Sequence, residues 1–138
     1  MHLMAWMLAA LVLVLSGCAA RSNPPSPTPG STGILEVREV IASYYGPGFH
    51  GKTTASGVRF DMHAMVAAHP SYPFGTLVRV TNLINGRAVQ VTIVDRGPAQ
   101  GPRAAGVLID LSYGAAQTLG FVQNGRTRVR LEVLRWGG

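Results

Sequence analysis

Alternating apolar and polar positions in the second half of the chain predict short β-strands. Over residues 126–134, Val129, Leu131 and Val133 fall on one face of a strand, and charged side chains fall on the other. Segments rich in Val, Ile, Thr or Tyr predict three more strands. These segments cover residues 36–45, 76–83 and 88–95.

Turn and cap residues separate these segments and predict two helices. Asn85-Gly86 is typical of a two-residue hairpin between the second and third of the strands in chain order. Short helices are predicted over residues 62–68 and 113–119, where Ser112 would cap the start of the second helix and Gly120 would end it. Many short strands with few helices predict a small closed β-barrel.

The first residues form an apolar run that leads to a cysteine. The run from Leu3 to Leu15 is shorter than the roughly 20 apolar residues of a transmembrane helix, and it is typical of a secretory signal. Leu15-Ser16-Gly17-Cys18 matches a bacterial lipobox, in which the Cys18 thiol takes a lipid. We therefore expect residues 1–17 to be a lipoprotein signal peptide. The alternative is a buried N-terminal helix with a core cysteine.

A proline-rich segment follows the cysteine. Residues 18–33 include Asn23-Pro24-Pro25-Ser26-Pro27-Thr28-Pro29-Gly30, and because prolines stiffen an extended chain, a semi-rigid tether is predicted. We expect residues 34–138 to form the single folded domain. Lipidation would anchor this domain to a membrane of the cell envelope. Ala19 after the cysteine favours the outer membrane, with the domain facing the periplasm.

The composition favours an anionic partner outside the cytoplasm. The net charge is +6, and eleven of the twelve basic residues are arginines, whose planar forks suit carboxylates and phosphates. Cys18 is the only cysteine, so the mature domain has no internal disulfide. Cell-wall glycan, its peptides or anionic lipid would supply the negative charge. Nucleic acid is an alternative, but the basic residues are scattered rather than clustered, so no nucleic-acid partner is expected.

One segment matches the phosphate-binding P-loop pattern. Gly46-Pro47-Gly48-Phe49-His50-Gly51-Lys52-Thr53 fits G-x-x-x-x-G-K-[ST] and follows a predicted strand. A working P-loop needs a helix that begins at the Lys-Thr pair, but Gly57 would weaken that helix by about 1 kcal/mol. The chain also lacks the alternating strands and helices of a nucleotide-binding sheet. We therefore expect no nucleotide site.

Four polar side chains in the middle of the chain are of metal-ligand types. They are His50, Asp61, His63 and His69. Histidines with a carboxylate can bind zinc, but neither H-E-x-x-H nor another recognised zinc spacing is present. We therefore expect no metal and no other cofactor.

Two carboxylates lie at the ends of apolar segments. Asp95 follows residues 91–94, and Asp110 follows residues 107–109. A carboxyl group beside apolar residues can acquire the raised pKa that a general acid needs near neutral pH. The structural alternative is that Asp95 pairs with Arg96 or caps a turn, and that Asp110 supports the start of the next helix.

An ordered set of motifs between Ala42 and Leu134 resembles the rare lipoprotein A family of septal-ring lytic transglycosylases. The set begins with Ala42-Ser43-Tyr44-Tyr45-Gly46, Gly51-Lys52-Thr53-Thr54-Ala55-Ser56-Gly57, Phe60-Asp61, Ala67-Ala68-His69 and Pro73-Phe74-Gly75-Thr76. It continues with Val78-Arg79-Val80-Thr81-Asn82, Asn85-Gly86-Arg87, Asp95-Arg96-Gly97-Pro98 and Asp110-Leu111-Ser112. The resemblance covers about two thirds of the chain.

This resemblance implies a mostly β fold, a six-stranded double-psi β-barrel with one or two short helices. It also implies a lytic transglycosylase, which cleaves the glycan strands of peptidoglycan without water. An acid protonates the bridging oxygen, and the sugar's own C6 hydroxyl closes a 1,6-anhydro ring, a reaction that gains from proximity. The implied partners are glycan strands and, through the anchor, a membrane. A monomer is expected.

The resemblance also implies roles for polar residues of the cleft. Asp61, His69 and Asp95 match polar cleft positions of the family, and Asp110 resembles the acid of more distant barrels of this type. These four are the implied catalytic residues, with Asp95 or Asp110 favoured as the acid. Five more would contact substrate: Thr54, Ser56, Gly57, Phe60 and Arg96. The family usually has a glutamate where this chain has Val58, and a valine moves no proton. The alternative is therefore a non-catalytic peptidoglycan-binding protein of the same fold.

Overall fold

Residues 33–138 are described by the computed structural model, and they form a closed barrel of six strands. The predicted signal peptide, Cys18 and nearly all of the predicted tether lie outside these residues. No helix within residues 33–138 is long and apolar enough to cross a membrane. The strands are β1 (Glu36–Tyr44), β2 (Val66–Ala68), β3 (Leu77–Asn82), β4 (Ala88–Asp95), β5 (Val107–Leu111) and β6 (Thr127–Arg135). The helices are α1 (Gln100–Ala104) and α2 (Tyr113–Leu119), and Pro47–Phe49 form a 3₁₀ turn.

The order of strands around the barrel differs from their order along the chain. Neighbours follow β1-β5-β2-β4-β3-β6, and β6 pairs with β1 to close the barrel. The β1–β5 and β2–β4 pairs are parallel, and the other four pairs are antiparallel. The predicted fold class is therefore confirmed as a mostly β, six-stranded closed barrel with two short helices.

Apolar side chains fill the barrel because alternate residues of each strand point inward. Val129, Leu131 and Val133 are fully buried, as their alternation predicts. Each buried side chain of this kind stabilises the fold by about 1.5–3 kcal/mol. Glu132, on the face predicted to be charged, is also buried, and two arginines lie 3.8 and 3.5 Å from its carboxylate.

Helix α2 covers part of the barrel and has the predicted caps. The Ser112 Oγ atom accepts the Ala115 N–H at 3.2 Å, which satisfies one free donor of the first turn. Gly120 ends the helix with a left-handed φ of 76°. Ala115, Ala116 and Leu119 are buried in the barrel core. The start and end of this helix are confirmed.

The predicted helix over residues 62–68 is wrong. Its first half forms a turn, and Val66–Ala68 form β2, which pairs with β4 on one side and β5 on the other. The Asp61 carboxylate accepts the His63 N–H at 2.8 Å and holds the turn. Because strand pairing on both sides satisfies the buried backbone, tertiary structure overrides the helix preference of two alanines.

The hairpin between β3 and β4 is confirmed, but its predicted two-residue turn is wrong. Residues 83–87 connect the strands, and within them only Gly86 has a positive φ, of 77°. A type I′ turn needs a positive φ at both central residues. The Asn85 amide donates to the Leu119 carbonyl at 2.9 Å, so contact with α2 shapes the longer loop.

Candidate functional site

Two of the predicted catalytic carboxylates share one face of the barrel. Asp110 lies within β5, one residue before its end, and Asp95 is the last residue of β4. Ala68 of β2 pairs with Asp110 on one side and with Asp95 on the other, and Ser43 of β1 pairs with Asp110. Two strand spacings of about 4.8 Å therefore separate the backbones of the two acids. We call Ser43, Asp110, Ala68 and Asp95 the acid row.

Three hydrogen bonds hold the Asp95 carboxylate. It accepts the Tyr45 hydroxyl at 2.6 Å and the backbone N–H groups of Ala55 and Arg96 at 2.9 Å each. Burial, together with the hydrogen bond to Asp95 and its charge, raises the pKa of the Tyr45 phenol well above its ordinary value. Tyr45 therefore stays a protonated donor, and the orientation of the Asp95 carboxylate is fixed.

The Asp110 carboxyl group lies in a partly buried setting. Burial raises its pKa above the ordinary value, while the Ser43 hydrogen bond and the charge of Arg126 act in the opposite direction. The nearby charge of Asp95 adds to the rise. The Ser43 hydroxyl donates to Asp110 Oδ1 and orients the group. A raised pKa is the property that a general acid needs near neutral pH.

Gly97 lies beside Asp110. Its φ of 145° is a conformation that other residues rarely adopt. A β-carbon at this position would lie 3.5 Å from Asp110 Oδ2 and 3.6 Å from the Ala68 β-carbon. These are ordinary contact distances, so the positive φ, rather than lack of space, is the reason for a glycine beside Asp110.

Three of the predicted substrate-contact residues lie in one tight turn. The Thr54 N–H donates to the Val58 carbonyl at 2.8 Å, and Gly57 adopts a φ of 92° within the turn. The Ser56 N–H donates to the Val94 carbonyl at 3.2 Å. The turn is thus docked against the end of β4, next to the acid row.

The segment that matches the P-loop pattern is a loop that folds back on itself. Pro47–Phe49 form the 3₁₀ turn, and Thr53 pairs with Arg59 across an isolated β-bridge. No helix begins at Lys52-Thr53, so these residues present no helix N-terminus to a phosphate.

Aromatic side chains surround Tyr45, the residue that binds Asp95. The ring centroids of Phe60 and Phe49 lie 4.4 and 5.2 Å from that of Tyr45. Phe60, predicted to contact substrate, is only 3% exposed, so it packs Tyr45 in place. Phe49 is 49% exposed and is the aromatic ring of this group that a ligand can reach.

The His69 imidazole lies in the protein interior. It is 3% exposed and stacks on the Tyr72 ring with centroids 3.6 Å apart. Its Nδ1 atom accepts the N–H groups of Ser71 and Tyr72 at 3.1 and 3.0 Å, and its Nε2 atom has no partner within residues 33–138. Burial is the main cause that lowers its pKa to about 4, so the ring is neutral at pH 7. Its catalytic role stays a prediction.

Arg96 supports the same region. Its guanidinium donates to the Tyr72 carbonyl at 2.8 Å and lies 3.9 Å from the centroid of the Phe74 ring. The backbone N–H of His69 also donates to the Asp95 carbonyl at 3.2 Å. Arg96 and His69 thus hold the backbone around Asp95, and a substrate contact for Arg96 stays a prediction.

Asp61 is exposed and is not hydrogen-bonded to the acid row within the described residues. Its carboxylate accepts the His63 N–H, and nearby the His50 Nδ1 atom accepts the Met62 N–H at 3.1 Å. Across residues 33–138, no group of three or more His, Cys, Asp or Glu side chains is arranged to hold a metal ion. A catalytic role for Asp61 stays a prediction.

Ser43 and Tyr45, whose hydroxyls bind the two acids, belong to the motif Ala42-Ser43-Tyr44-Tyr45-Gly46 but had no predicted role. Ser43 is the second-to-last residue of β1 and Tyr45 directly follows β1, so the two side chains share a face of the barrel. The available signal was a pair of hydroxyl side chains at alternate positions after an apolar strand. That spacing does not reveal which distant carboxylates lie opposite.

A separate cavity of about 400 Å³ lies beside α2. It contains no residue of the acid row. Its lining is mostly uncharged and polar, and consists of Tyr113, Gln117, Gly120, Val122, Gln123 and Asn124.

Comparison with known sequences identifies one family and several bacterial relatives. The sequence model described as "Lytic transglycolase" matches residues 37–131. A probable endolytic peptidoglycan transglycosylase RlpA of Synechocystis is 50% identical over 102 residues, which cover 74% of this chain and 30% of that protein. The endolytic peptidoglycan transglycosylase RlpA of Campylobacter jejuni is 44% identical over 109 residues, covering 79% and 38%. The chain thus spans less than half the length of these relatives.

Two solved structures share the fold. The Streptomyces papain inhibitor has a TM-score of 0.58 at 22% identity, covering 74% of this chain and 97% of that chain. The apo form of an expansin from Clavibacter michiganensis has a TM-score of 0.57 at 23% identity, covering 75% and 52%. At this level of identity the likeness concerns the barrel alone.

Proposed function

Because the chain belongs to the lytic transglycolase family of double-psi β-barrels, we propose that its barrel cleaves the glycan strands of peptidoglycan as a lytic transglycosylase. The relatives named endolytic peptidoglycan transglycosylases support this substrate. The observation that carries the proposal is the acid row, in which Asp110 and Asp95 flank Ala68 on one face of the barrel.

In the proposed reaction, Asp110 donates its proton to the oxygen that bridges two sugars. The bond between that oxygen and C1 of muramic acid then breaks. The C6 oxygen of the same muramic acid bonds to C1, and Asp95 accepts the proton of that C6 hydroxyl. The products are a free hydroxyl on the leaving sugar and a 1,6-anhydro end, and no water is consumed. Solvent restores the proton of Asp110 and removes that of Asp95.

The different surroundings of the two acids support this assignment. Burial raises the pKa of the Asp110 carboxyl, which favours a proton donor near neutral pH. Asp95 instead receives hydrogen bonds from Tyr45, Ala55 and Arg96, which fix the orientation of its carboxylate.

The test is incubation with purified glycan strands, with 1,6-anhydro ends detected by mass spectrometry. Asp110→Asn and Asp95→Asn should each lower the rate by about 10²- to 10⁴-fold, because each removes one proton-transfer group. Glu39→Gln is a matched control, since Glu39 is exposed and contacts only Arg128 among its charged neighbours. Full activity in both aspartate variants would contradict the proposed chemistry.

One observation favours a second candidate function, a protein that binds peptidoglycan without cleaving it. Val58 is 49% exposed in the turn beside the acid row, where the resemblance places a glutamate. Retention on insoluble cell wall without soluble products would indicate such a binder. In that case Val58→Glu should release 1,6-anhydro ends that the parent does not release at a detectable rate, because the variant regains a proton-transfer group.

We further propose that Cys18 carries a lipid and anchors the domain to the outer membrane, facing the periplasm. The support is the motif Leu15-Ser16-Gly17-Cys18 after an apolar run. Cys18→Ser should leave the precursor uncleaved and without lipid. A variant that fractionates and migrates like the parent protein would contradict this.

A further inference from the structure

Arg126 directly precedes β6, the strand next to β1 on the side away from β5. Ala42 of β1 pairs with Thr127, the first residue of β6, and continuing this antiparallel register by one residue places Arg126 opposite Ser43. Ser43 in turn pairs with Asp110. The strand spacing of about 4.8 Å therefore places the Arg126 backbone about 10 Å from that of Asp110.

The side chain of Arg126 faces the same side of the barrel as the acids. Ala42 and Thr127 are buried, and residues alternate along a strand, so their neighbours Ser43 and Arg126 point outward. Arg126 is exposed, and its charge acts on the Asp110 carboxyl, lowering the pKa of that group. The Arg126 side chain therefore extends from the same face of the barrel as the two acids.

Within residues 33–138, no Asp or Glu lies within ion-pair distance of Arg126. Three arginines of the neighbouring strands β3 and β6 are paired instead, since Arg79 and Arg130 contact Glu132 and Arg128 contacts Glu39. The positive charge at the end of the acid row is thus available to a ligand.

We propose that Arg126 binds a carboxylate carried by muramic acid in a bound glycan strand, and so selects peptidoglycan over neutral β-1,4-linked glucosamine polymers. This inference rests on the proposed function. The lactyl ether of muramic acid ends in a carboxyl group that is either free or joined to a peptide with carboxylates of its own. Both sources offer the group that a guanidinium fork binds through two parallel hydrogen bonds.

The charges along the acid row give a physical reason for this contact. A muramic acid carboxylate is repelled by the Asp95 carboxylate, which acts as the base in the proposed reaction, and a cation at the end of the row offsets that repulsion. A pyranose ring is of similar length to the spacing between strands, so a glycan that lies along the row reaches Arg126. A neutral glycan needs no such partner.

The test measures equilibrium binding in an Asp110→Asn background, which keeps the ligand intact. The ligands are peptide-free glycan strands, peptide-bearing strands and chitohexaose, which is neutral. Arg126→Gln should weaken binding of at least one anionic ligand by about tenfold, the loss typical of a charged hydrogen bond, and should leave chitohexaose unchanged. Arg126→Lys should recover part of the loss, because it keeps the charge without the fork.

Two controls isolate the carboxylate contact. Arg135→Gln makes the same charge change about 30 Å further along β6, and it should bind all three ligands like the parent. Methyl esterification of the peptide-free strands removes the ligand's charge. If the lactyl carboxylate is the partner, esterification should weaken binding to the parent, but not to Arg126→Gln.

The outcomes distinguish the two possible sources of the carboxylate, the lactyl group and the peptide, and they test this inference separately from the proposed function. A loss confined to peptide-bearing strands would assign the carboxylate to the peptide, and a loss with peptide-free strands would assign it to the lactyl group. Equal affinities of Arg126→Gln and Arg135→Gln for both anionic ligands would overturn the inference and leave the proposed function standing. A parent that binds no glycan would overturn both.

Discussion

Acidification between pH 7 and pH 5 should destabilise the barrel through one buried side chain, His69. Its Nδ1 atom accepts two backbone N–H groups, so the neutral ring carries its proton on Nε2. A second proton would bind to Nδ1, where its N–H would face the two backbone N–H donors. It would also place a positive charge in the protein interior. Burial is the main cause that lowers the pKa of His69 to about 4. The positive charges of Arg38 and Arg96 lower the pKa further, and the negative charge of Glu36 opposes them.

The size of the effect follows from the pKa difference between the unfolded and folded states. An unfolded histidine has a pKa of 6.5, and the folded value is about 4, so only the unfolded chain gains this proton between those values. The stabilisation is therefore complete above pH 6.5 and is lost as the pH falls toward 4. The full difference corresponds to about 3 kcal/mol, of which about 2 kcal/mol is lost by pH 5.

His69→Asn separates titration from hydrogen bonding. The asparagine Oδ1 atom can accept the same two backbone N–H groups, but it does not titrate. The matched control is His50→Asn, because the exposed His50 also accepts a backbone N–H through Nδ1. Free energies of unfolding from urea titrations at pH 7, 6 and 5 give the slope. The parent and His50→Asn should lose about 2 kcal/mol more than His69→Asn over this range.

The comparison of slopes removes other contributions. Asp110 acts with the opposite sign, because its raised pKa makes the fold more stable as the pH falls, and it is present in every variant. The cavity left by the smaller asparagine lowers stability equally at each pH. Equal slopes for the parent and His69→Asn would refute the reasoning, as would nuclear magnetic resonance signals of His69 that titrate near pH 6.5.

Three further changes test the site and the packing. Asp110→Asn should stabilise the protein at pH 7, because burial raises the pKa of Asp110 and makes its ionisation costly in the folded state. The gain should vanish in acid, where Asp110 is protonated in both states, and urea unfolding at neutral and acidic pH checks this. Gly114→Ala should destabilise the protein by about 1–3 kcal/mol, because the added β-carbon would lie 2.7 Å from the His63 carbonyl oxygen. Gly101→Ala is the control and should not destabilise the protein, because the space around Gly101 is open; thermal melts compare the two variants. Ser112→Ala should cost about 1 kcal/mol through the lost helix cap, measured by urea unfolding.

The local sequence pattern was sufficient to predict the strands and helix ends whose stability depends on residues close by in the chain. The Val, Ile and Thr content of residues 88–95 predicted β4 with its observed bounds, and Ser112 and Gly120 predicted both ends of α2. Caps and face alternation involve groups only a few residues apart, so the sequence by itself determined them. It also determined the closed barrel class, and it marked Asp95 and Asp110 as carboxylates at the ends of apolar segments.

Tertiary structure alone decided what these residues touch. Ser43 meets Asp110 across 67 residues of chain, and Tyr45 meets Asp95 across 50, because the strand order around the barrel brings β1, β5 and β4 into one region. The same pairing turned a predicted helix into β2, whose Ala68 lies between the two acids. Such contacts depend on which distant strands become neighbours. The free energy of that pairing comes from interactions throughout the barrel, so no single segment of the sequence determines it.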